Sequence, residues 1–244
     1  SVADMLLALL DVVRTHYFLP RPPQMDPVVT SNDAMLRFEG FSGCCGVYVR
    51  VDLDTAGLAA ERLGRGTTNV DFNMPMRAAL MRLQDRERVE FSVGREAFTL
   101  SRGEARVVEK KVRLPLRWIK GFSEVQAYLP RLVLMIDVAG AEARRFAHGL
   151  PLGSIPRQPS FVVQSGAALR LALDEQGVRI LVGTTALLCP VRHPGAEHAG
   201  CEWGERHTFV SLHRPPCGIQ TCAEFRRTGS RGEWRGRVAL PDPK

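Results

Sequence analysis

Residues 69–101, which read NVDFNMPMRAALMRLQDRERVEFSVGREAFTLS, contain the pattern on which the fold prediction depends. Pro75 suits the first turn of a helix, because no helical hydrogen bond is lost there through its missing N–H. The apolar residues that follow recur at the i, i+3, i+4 and i+7 positions of one helix face: Met76, Ala79, Leu80 and Leu83. Apolar and polar residues then alternate over 89–93 and again over 98–100. The stretch therefore predicts a short strand, an amphipathic helix and a β-hairpin.

The same order of elements recurs from residue 134. Residues 134–138 (LMIDV) predict a strand, and residues 161–173 predict a second hairpin. Between them, apolar residues repeat the spacing of the first helix face: Ala143, Phe146, Ala147 and Leu150. Repeats of this length are too long for a solenoid. We therefore predict an α+β chain of two copies of one small domain, each with a helix packed on antiparallel strands.

The segments outside the two repeats set the predicted domain boundaries. An apolar docking helix and a Pro-rich linker occupy 1–30, and the first domain occupies 31–122. The core of the second domain occupies 123–183, and an irregular tail rich in Cys, His and Arg occupies 184–244. A chain of 244 residues, 45% of them hydrophobic, is long enough to bury this much core.

Charge and cysteine content bear on the cellular setting. The formal net charge of +7 favours an anionic partner or simply solubility. Six cysteines, including the adjacent pair Cys44 and Cys45, do not form a disulfide scaffold and predict a reducing, cytoplasmic setting. We interpret that pair as buried thiols at a strand end rather than as a redox or metal site. The apolar N-terminal run lacks the features of a signal peptide, and no stretch predicts a membrane span.

The tail offers a possible metal site. Cysteines and histidines that could supply four zinc ligands lie within a short segment: Cys189, His193, His198 and Cys201. Their order follows no standard zinc-finger spacing, so zinc binding or metal-dependent chemistry is the alternative function. The sequence has no GxSxG, Walker, GxGxxG or HExxH motif. We therefore predict a protein that is not an enzyme and that needs no cofactor, with zinc as the possible exception.

Basic residues predict where an anionic partner would bind. Arginines lie off the apolar faces of the two predicted helices: Arg77, Arg82, Arg144 and Arg145. The densest basic run, 106–120, alternates charged and apolar residues in the manner of a strand with one charged face. Its lysines and arginine could contact phosphates: Lys110, Lys111 and Arg113. The other interpretation is a solvated strand, with Trp118 packed into a domain junction.

The repeated order of strand, helix and hairpin resembles the fold of DNA sliding clamps. The residues that carry this resemblance are SNDAMLRFEG, TTNVDFNMPMRAALMRL and RVEFSVGREAFTLS in the first unit, with RLVLMIDVAGAEARRFAHGLP and SFVVQSGAALRLAL in the second. It covers roughly residues 31–182 and implies two clamp-like units. In clamps the inner helices carry basic residues that face DNA, and the four helix arginines match that placement.

A second resemblance rests on the amino-acid sequence of three segments. MDPVVTSNDAMLRFEGFSGCCGVYVRVDL, GRGTTNVDFNMPMRAAL and KGFSEVQAY resemble bacterial SWIM zinc-finger family proteins. The CxC…CxH finger that defines that family does not occur in this sequence. The resemblance implies a multi-protein assembly whose other members include a MoxR-type ATPase. We therefore predict a non-catalytic interaction module that binds a protein partner, and DNA through the basic helix face.

Overall fold

The structure, a computed structural model, describes residues 2–14, 27–43, 45, 47–54, 65–84, 87–149, 160–172, 178–180, 207–213, 221–228 and 233–241. The described helices are α1 (Val2–Arg14), α2 (Met74–Met81), α3 (Leu116–Tyr128) and α4 (Gly140–Gly149). The described strands are β1 (Val28–Ser31), β2 (Met35–Phe41), β3 (Val47–Asp54), β4 (Gly66–Asn69), β5 (Glu90–Val93), β6 (Ala97–Arg102), β7 (Ala105–Lys110), β8 (Leu132–Ala139), β9 (Ser160–Ser165), β10 (Ala168–Ala172), β11 (Val178–Ile180), β12 (His207–His213), β13 (Thr221–Thr228) and β14 (Glu233–Pro241). None of these helices is long and apolar enough to cross a bilayer.

One large antiparallel sheet joins the two halves of the chain. Its strand order is β4-β1-β2-β3-β12-β13-β14-β8, so β3 of the first half pairs along its length with β12. Three of its strands come from the segment that the sequence predicted to be an irregular tail. That prediction is wrong for β12, β13 and β14, which exchange backbone hydrogen bonds with neighbouring strands. The local sequence pattern does not show such pairing, because it depends on strands distant in the chain.

Helix α1 belongs to the core of the first domain. Its apolar run is buried almost all round, with Leu6, Leu9 and Leu10 at most 2% exposed. The helix packs against α2, β2 and β3. The predicted docking of this helix agrees with the structure, but the predicted domain boundary at residue 31 falls inside β1. A helix that shares a core with β2 and β3 cannot be assigned to a separate N-terminal segment.

The helix and hairpin predicted from residues 69–101 are present. Met76 and Leu80 of α2 are buried, and Leu83 packs half-buried against the same core. Strands β5, β6 and β7 form a second, three-stranded sheet in sequential order. The aromatic side chains of this region meet at the centre of the core, where the rings of Phe38 and Phe98 lie 5.8 Å apart edge to face.

The internal repeat is present, but the elements that correspond between its two copies differ from those predicted. Strand β9 lies between β10 and β11, just as β1 lies between β2 and β4, whereas β5, β6 and β7 follow one another. Helix α4 packs against β8, β10 and β14, and α2 packs against α1 and β7. The predicted equivalence of α2 and α4 is therefore wrong, and the shared order places α4 with α1. Apolar spacing is common to all amphipathic helices and does not specify strand pairing.

The basic run 106–120 is only partly a strand. Strand β7 ends at Lys110, Lys111 forms an isolated bridge with Val70, and helix α3 begins at Leu116 after Pro115. The helix lies against β2 and places Trp118 in the core, where its side chain is 1% exposed. The predicted burial of Trp118 is confirmed, but its neighbours Gly40 and Phe41 belong to the core of the first domain, and the tryptophan lies on a helix instead of a strand.

Candidate interaction surface

The predicted arginines of α2 are in different environments. The Nη2 atom of Arg77 lies 2.6 Å from Oδ1 of Asp11 in α1, and its side chain is only 22% exposed. This ion pair connects the two helices, so Arg77 is occupied within the fold. The side chain of Arg82 is exposed, and its backbone carbonyl accepts a hydrogen bond from Arg102.

Arg145 connects helix α4 to strand β10 by hydrogen bonds. Arg145 forms two hydrogen bonds with the carboxylate of Glu142 and donates a third to the carbonyl of Leu169, at 2.8 Å. The N–H of Leu169 donates to Glu142, so both backbone groups of this residue in the edge strand β10 are satisfied by α4. The Arg145 guanidinium, and then the Leu169 N–H, lower the pKa of Glu142 to about 2. The side chain of Arg144 lies outside the described part of the chain.

The basic helix face predicted from the sequence is therefore not a free cationic surface. Arg77 and Arg145 are engaged in ion pairs with acidic residues of the fold. Among the predicted helix arginines whose side chains the structure describes, only Arg82 is exposed without such a partner. Sequence periodicity placed these residues off the apolar faces correctly, but it could not show which of them another element would neutralise.

The densest group of unpaired cations lies instead between the start of β7 and the first turns of α3. Alternation along β7 turns Val107 and Glu109 inward and Arg106, Val108 and Lys110 outward. Six exposed cations of this region have no side-chain ion pair or hydrogen bond in the described structure: Arg106, Lys110, Lys111, Arg113, Arg117 and Lys120. We call these cations, together with the exposed apolar residues Val108, Leu116 and Ile119 of the same segment, the β7–α3 surface.

Aromatic packing fixes the orientation of α3. The rings of Trp118 and Phe122 lie 5.8 Å and 5.1 Å from the ring of Phe41. Gly121 permits this approach, because a Cβ atom there would lie 2.6 Å from the Phe41 ring. The opposite face of the helix carries Leu116, 70% exposed, and Ile119, 47% exposed. The i, i+4, i+7 spacing of Trp118, Phe122 and residue 125 was a helical signal that the strand prediction overlooked.

A buried carboxylic acid lies directly behind β7. Glu109 is 2% exposed, and the backbone N–H groups of Asn73 and Met76 at the start of α2 act on the pKa of its carboxyl group. Burial, followed by repulsion from Asp71, raises its pKa from 4.5 to about 7 against the opposing effect of those N–H groups. Its Oε1 atom has no hydrogen-bond partner.

The described residues offer no metal centre. No cluster of three or more metal-binding side chains occurs among them. The predicted zinc ligands lie outside the described residues: Cys189, His193, His198 and Cys201. Cys45 lies half-buried in the β2–β3 turn, with a positive φ of 58°. Its position agrees with the strand-end interpretation, although it is less buried than predicted.

Comparison with solved structures identifies the fold. A DNA polymerase sliding clamp from Pseudomonas aeruginosa matches with a TM-score of 0.54 and 10% identity, over 100% of this chain and 63% of that one. PCNA from A. fulgidus, solved with the C-terminal region of FEN-1 bound, matches with a TM-score of 0.52 and 10% identity, over 100% of this chain and 96% of that one. The DNA polymerase III β subunit from Thermotoga maritima matches with a TM-score of 0.53 and 8% identity, over 98% of this chain and 61% of that one.

The chain thus spans less than two thirds of the bacterial clamps. No family model matches the sequence, and a search of curated proteins finds no match. Identities near 10% establish the fold without a function. The chain has a sliding-clamp-like α+β fold of helices on antiparallel sheets.

Proposed function

We propose that this chain is a non-catalytic interaction module that binds a negatively charged macromolecular partner through the β7–α3 surface. One observation carries the proposal. The six cations of that surface are exposed and unpaired, whereas Arg77 and Arg145 are neutralised within the fold. Unpaired cations concentrated within fifteen residues attract polyanions and speed their association.

A protein partner in a multi-protein assembly is the form of this function that we favour. Leu116 and Ile119 expose apolar surface among the cations, as the central contacts of protein interfaces do. The fold supports the proposal, because the solved PCNA neighbour carries a bound region of another protein. A MoxR-type ATPase, implied by the SWIM resemblance, stays a prediction.

Duplex DNA is the second candidate. Arg106 and Lys110 project from the same side of β7, about 13 Å apart at the usual rise per residue of a strand. This separation lets them contact different phosphates of one duplex, and the neighbours include DNA polymerase clamps. Binding of this kind would have no base preference.

The proposal is tested by measuring fluorescence anisotropy with two labelled probes, polyglutamate and a duplex, at low and moderate salt. We expect at least one probe to bind, with an affinity that falls as salt rises. For the duplex, K110A/K111A/R113A should reduce the slope of log affinity against log salt by about three, because each phosphate contact contributes roughly one.

A matched control removes the same charge elsewhere. R88A/R95A/R170A also deletes three exposed, unpaired arginines, and it should retain at least the greater part of the binding. No binding of either probe at low salt would refute the proposal, and so would equal losses in the two triple variants.

Zinc binding by the tail is an independent alternative. Emission spectroscopy of the purified chain measures its metal content directly, and a thiol titration counts the cysteines that remain free. One equivalent of zinc that is lost on replacing Cys189 and Cys201 with serine would establish that site.

A further inference from the structure

We infer that the β7–α3 surface binds an acidic segment of a partner protein that also carries aliphatic side chains, and that α3 is the centre of the contact. The inference rests on the proposed function and specifies the chemistry of its partner. It follows from the apolar and the charged residues of α3 taken together.

Some apolar residues of α3 lie outside the core. Trp118, Gly121 and Val125 fill the core side of the helix and are buried. Leu116 and Ile119 lie one turn apart on the other side, 70% and 47% exposed. Because the core is complete without them, these two side chains are available to a partner.

The charged residues next to this aliphatic pair in the chain are all basic. Arg113, Arg117 and Lys120 are exposed and unpaired, and no acidic residue occurs from 113 to 120. The positive end of the α3 dipole also lies at Leu116. A partner with carboxylates around apolar side chains would complement both properties.

Nucleic acid fits this part of the surface less well. Phosphates would neutralise the cations but would leave Leu116 and Ile119 without apolar contact. Of the aromatic side chains of α3 that the structure describes, Trp118 is 1% exposed and Phe122 packs against the ring of Phe41, so neither is an exposed stacking platform for a base. The aliphatic pair thus favours a protein segment over a nucleic acid.

The test compares three labelled probes by anisotropy: a 15-residue helical peptide of Leu and Glu, the same peptide with Ser for Leu, and a short duplex. The wild-type chain should bind the Leu/Glu peptide at least tenfold more tightly than the Ser/Glu peptide. L116S/I119S should weaken binding of the Leu/Glu peptide by about tenfold and leave the other two probes unchanged. R117Q/K120Q should weaken both peptides.

The control replaces exposed apolar residues elsewhere. M74S/M81S changes two methionines of α2 that are 60% and 66% exposed, and it should leave peptide binding unchanged. Circular dichroism checks that each variant is folded, and Ile119→Ala replaces the double variant if that one melts early.

The outcomes separate this inference from the proposed function. Equal binding of the Leu/Glu and Ser/Glu peptides, or binding of the duplex alone, would overturn the inference and leave the proposed function standing. Absence of binding by every probe would overturn both. Sedimentation that shows a dimer abolished by L116S/I119S would overturn the inference by making a second copy the occupant.

Discussion

Replacement of Glu109 with glutamine should make the stability of this protein less dependent on pH. The carboxyl group is buried behind β7, with Asp71 nearby and its pKa raised from 4.5 to about 7. Between these two values the folded chain retains a proton that the unfolded chain has lost. The free energy of unfolding therefore falls as pH rises through this window, and the contribution is fully present only below pH 4.5.

The pKa gives the size of the effect. One pKa unit corresponds to about 1.36 kcal/mol, so the rise caused by burial is worth at most about 3.4 kcal/mol. Most of it, about 2 to 3 kcal/mol, should be lost between pH 5 and pH 8. Glutamine keeps the shape of the side chain and an acceptor for the N–H groups of α2, but it does not ionise. The difference in stability between wild type and E109Q should therefore shift in favour of E109Q as pH rises.

Urea denaturation followed by far-ultraviolet circular dichroism, at pH 5, 6, 7 and 8, measures this difference. Taking the difference between the two proteins removes the titration of all other groups. Glu104→Gln is the matched control, because it makes the same replacement at an exposed position in the β6–β7 turn. A flat difference for E109Q, or one that moves in favour of the wild type at high pH, would refute the reasoning.

Two further predictions concern packing, and thermal and urea unfolding measures both. Gly121→Ala should destabilise the chain by about 1 to 3 kcal/mol, because the new Cβ would lie 2.6 Å from the enclosed ring of Phe41. Gly66→Ala, where a Cβ meets nothing within 4 Å, should change stability little, and equal losses would contradict this account. Leu80→Asp should cost several kcal/mol by burying an unpaired charge. Arg77→Ala should cost about 1 kcal/mol through its ion pair with Asp11. A larger loss for Arg77→Ala than for Leu80→Asp would refute the assigned helix faces.

Local periodicity was a reliable guide where one element buries one face. The spacing of Met76 and Leu80 identified both the helix and its buried side, and alternation identified the hairpin that follows. These patterns succeed because a single hydrophobic face is repeated along the element at its own period. The same reasoning failed for residues 116–120, where a basic residue every few positions concealed the helical spacing of the aromatic residues.

The candidate surface was only partly predictable. Lys110, Lys111 and Arg113 were identified from charge density, and all three are exposed and unpaired. Arg77 and Arg145 were assigned the same function because they lie off the apolar faces of the predicted helices, yet each is bound by an acidic residue of the fold. Asp11 is distant from Arg77 in the chain, so no local pattern could reveal that pair. The exposure of Leu116 was likewise invisible in the sequence.

The sequence by itself determined the fold class, the apolar faces of α2 and β5–β6, and the concentration of charge between β7 and α3. Tertiary structure decided the strand order, the burial of α1, the register of the repeat and which cations remain free. The physical reason is the distance along the chain between the residues that interact. Hydrophobic periodicity is set by neighbours within one element, whereas the pairing of β3 with β12 and of Asp11 with Arg77 is set by residues far away in the chain.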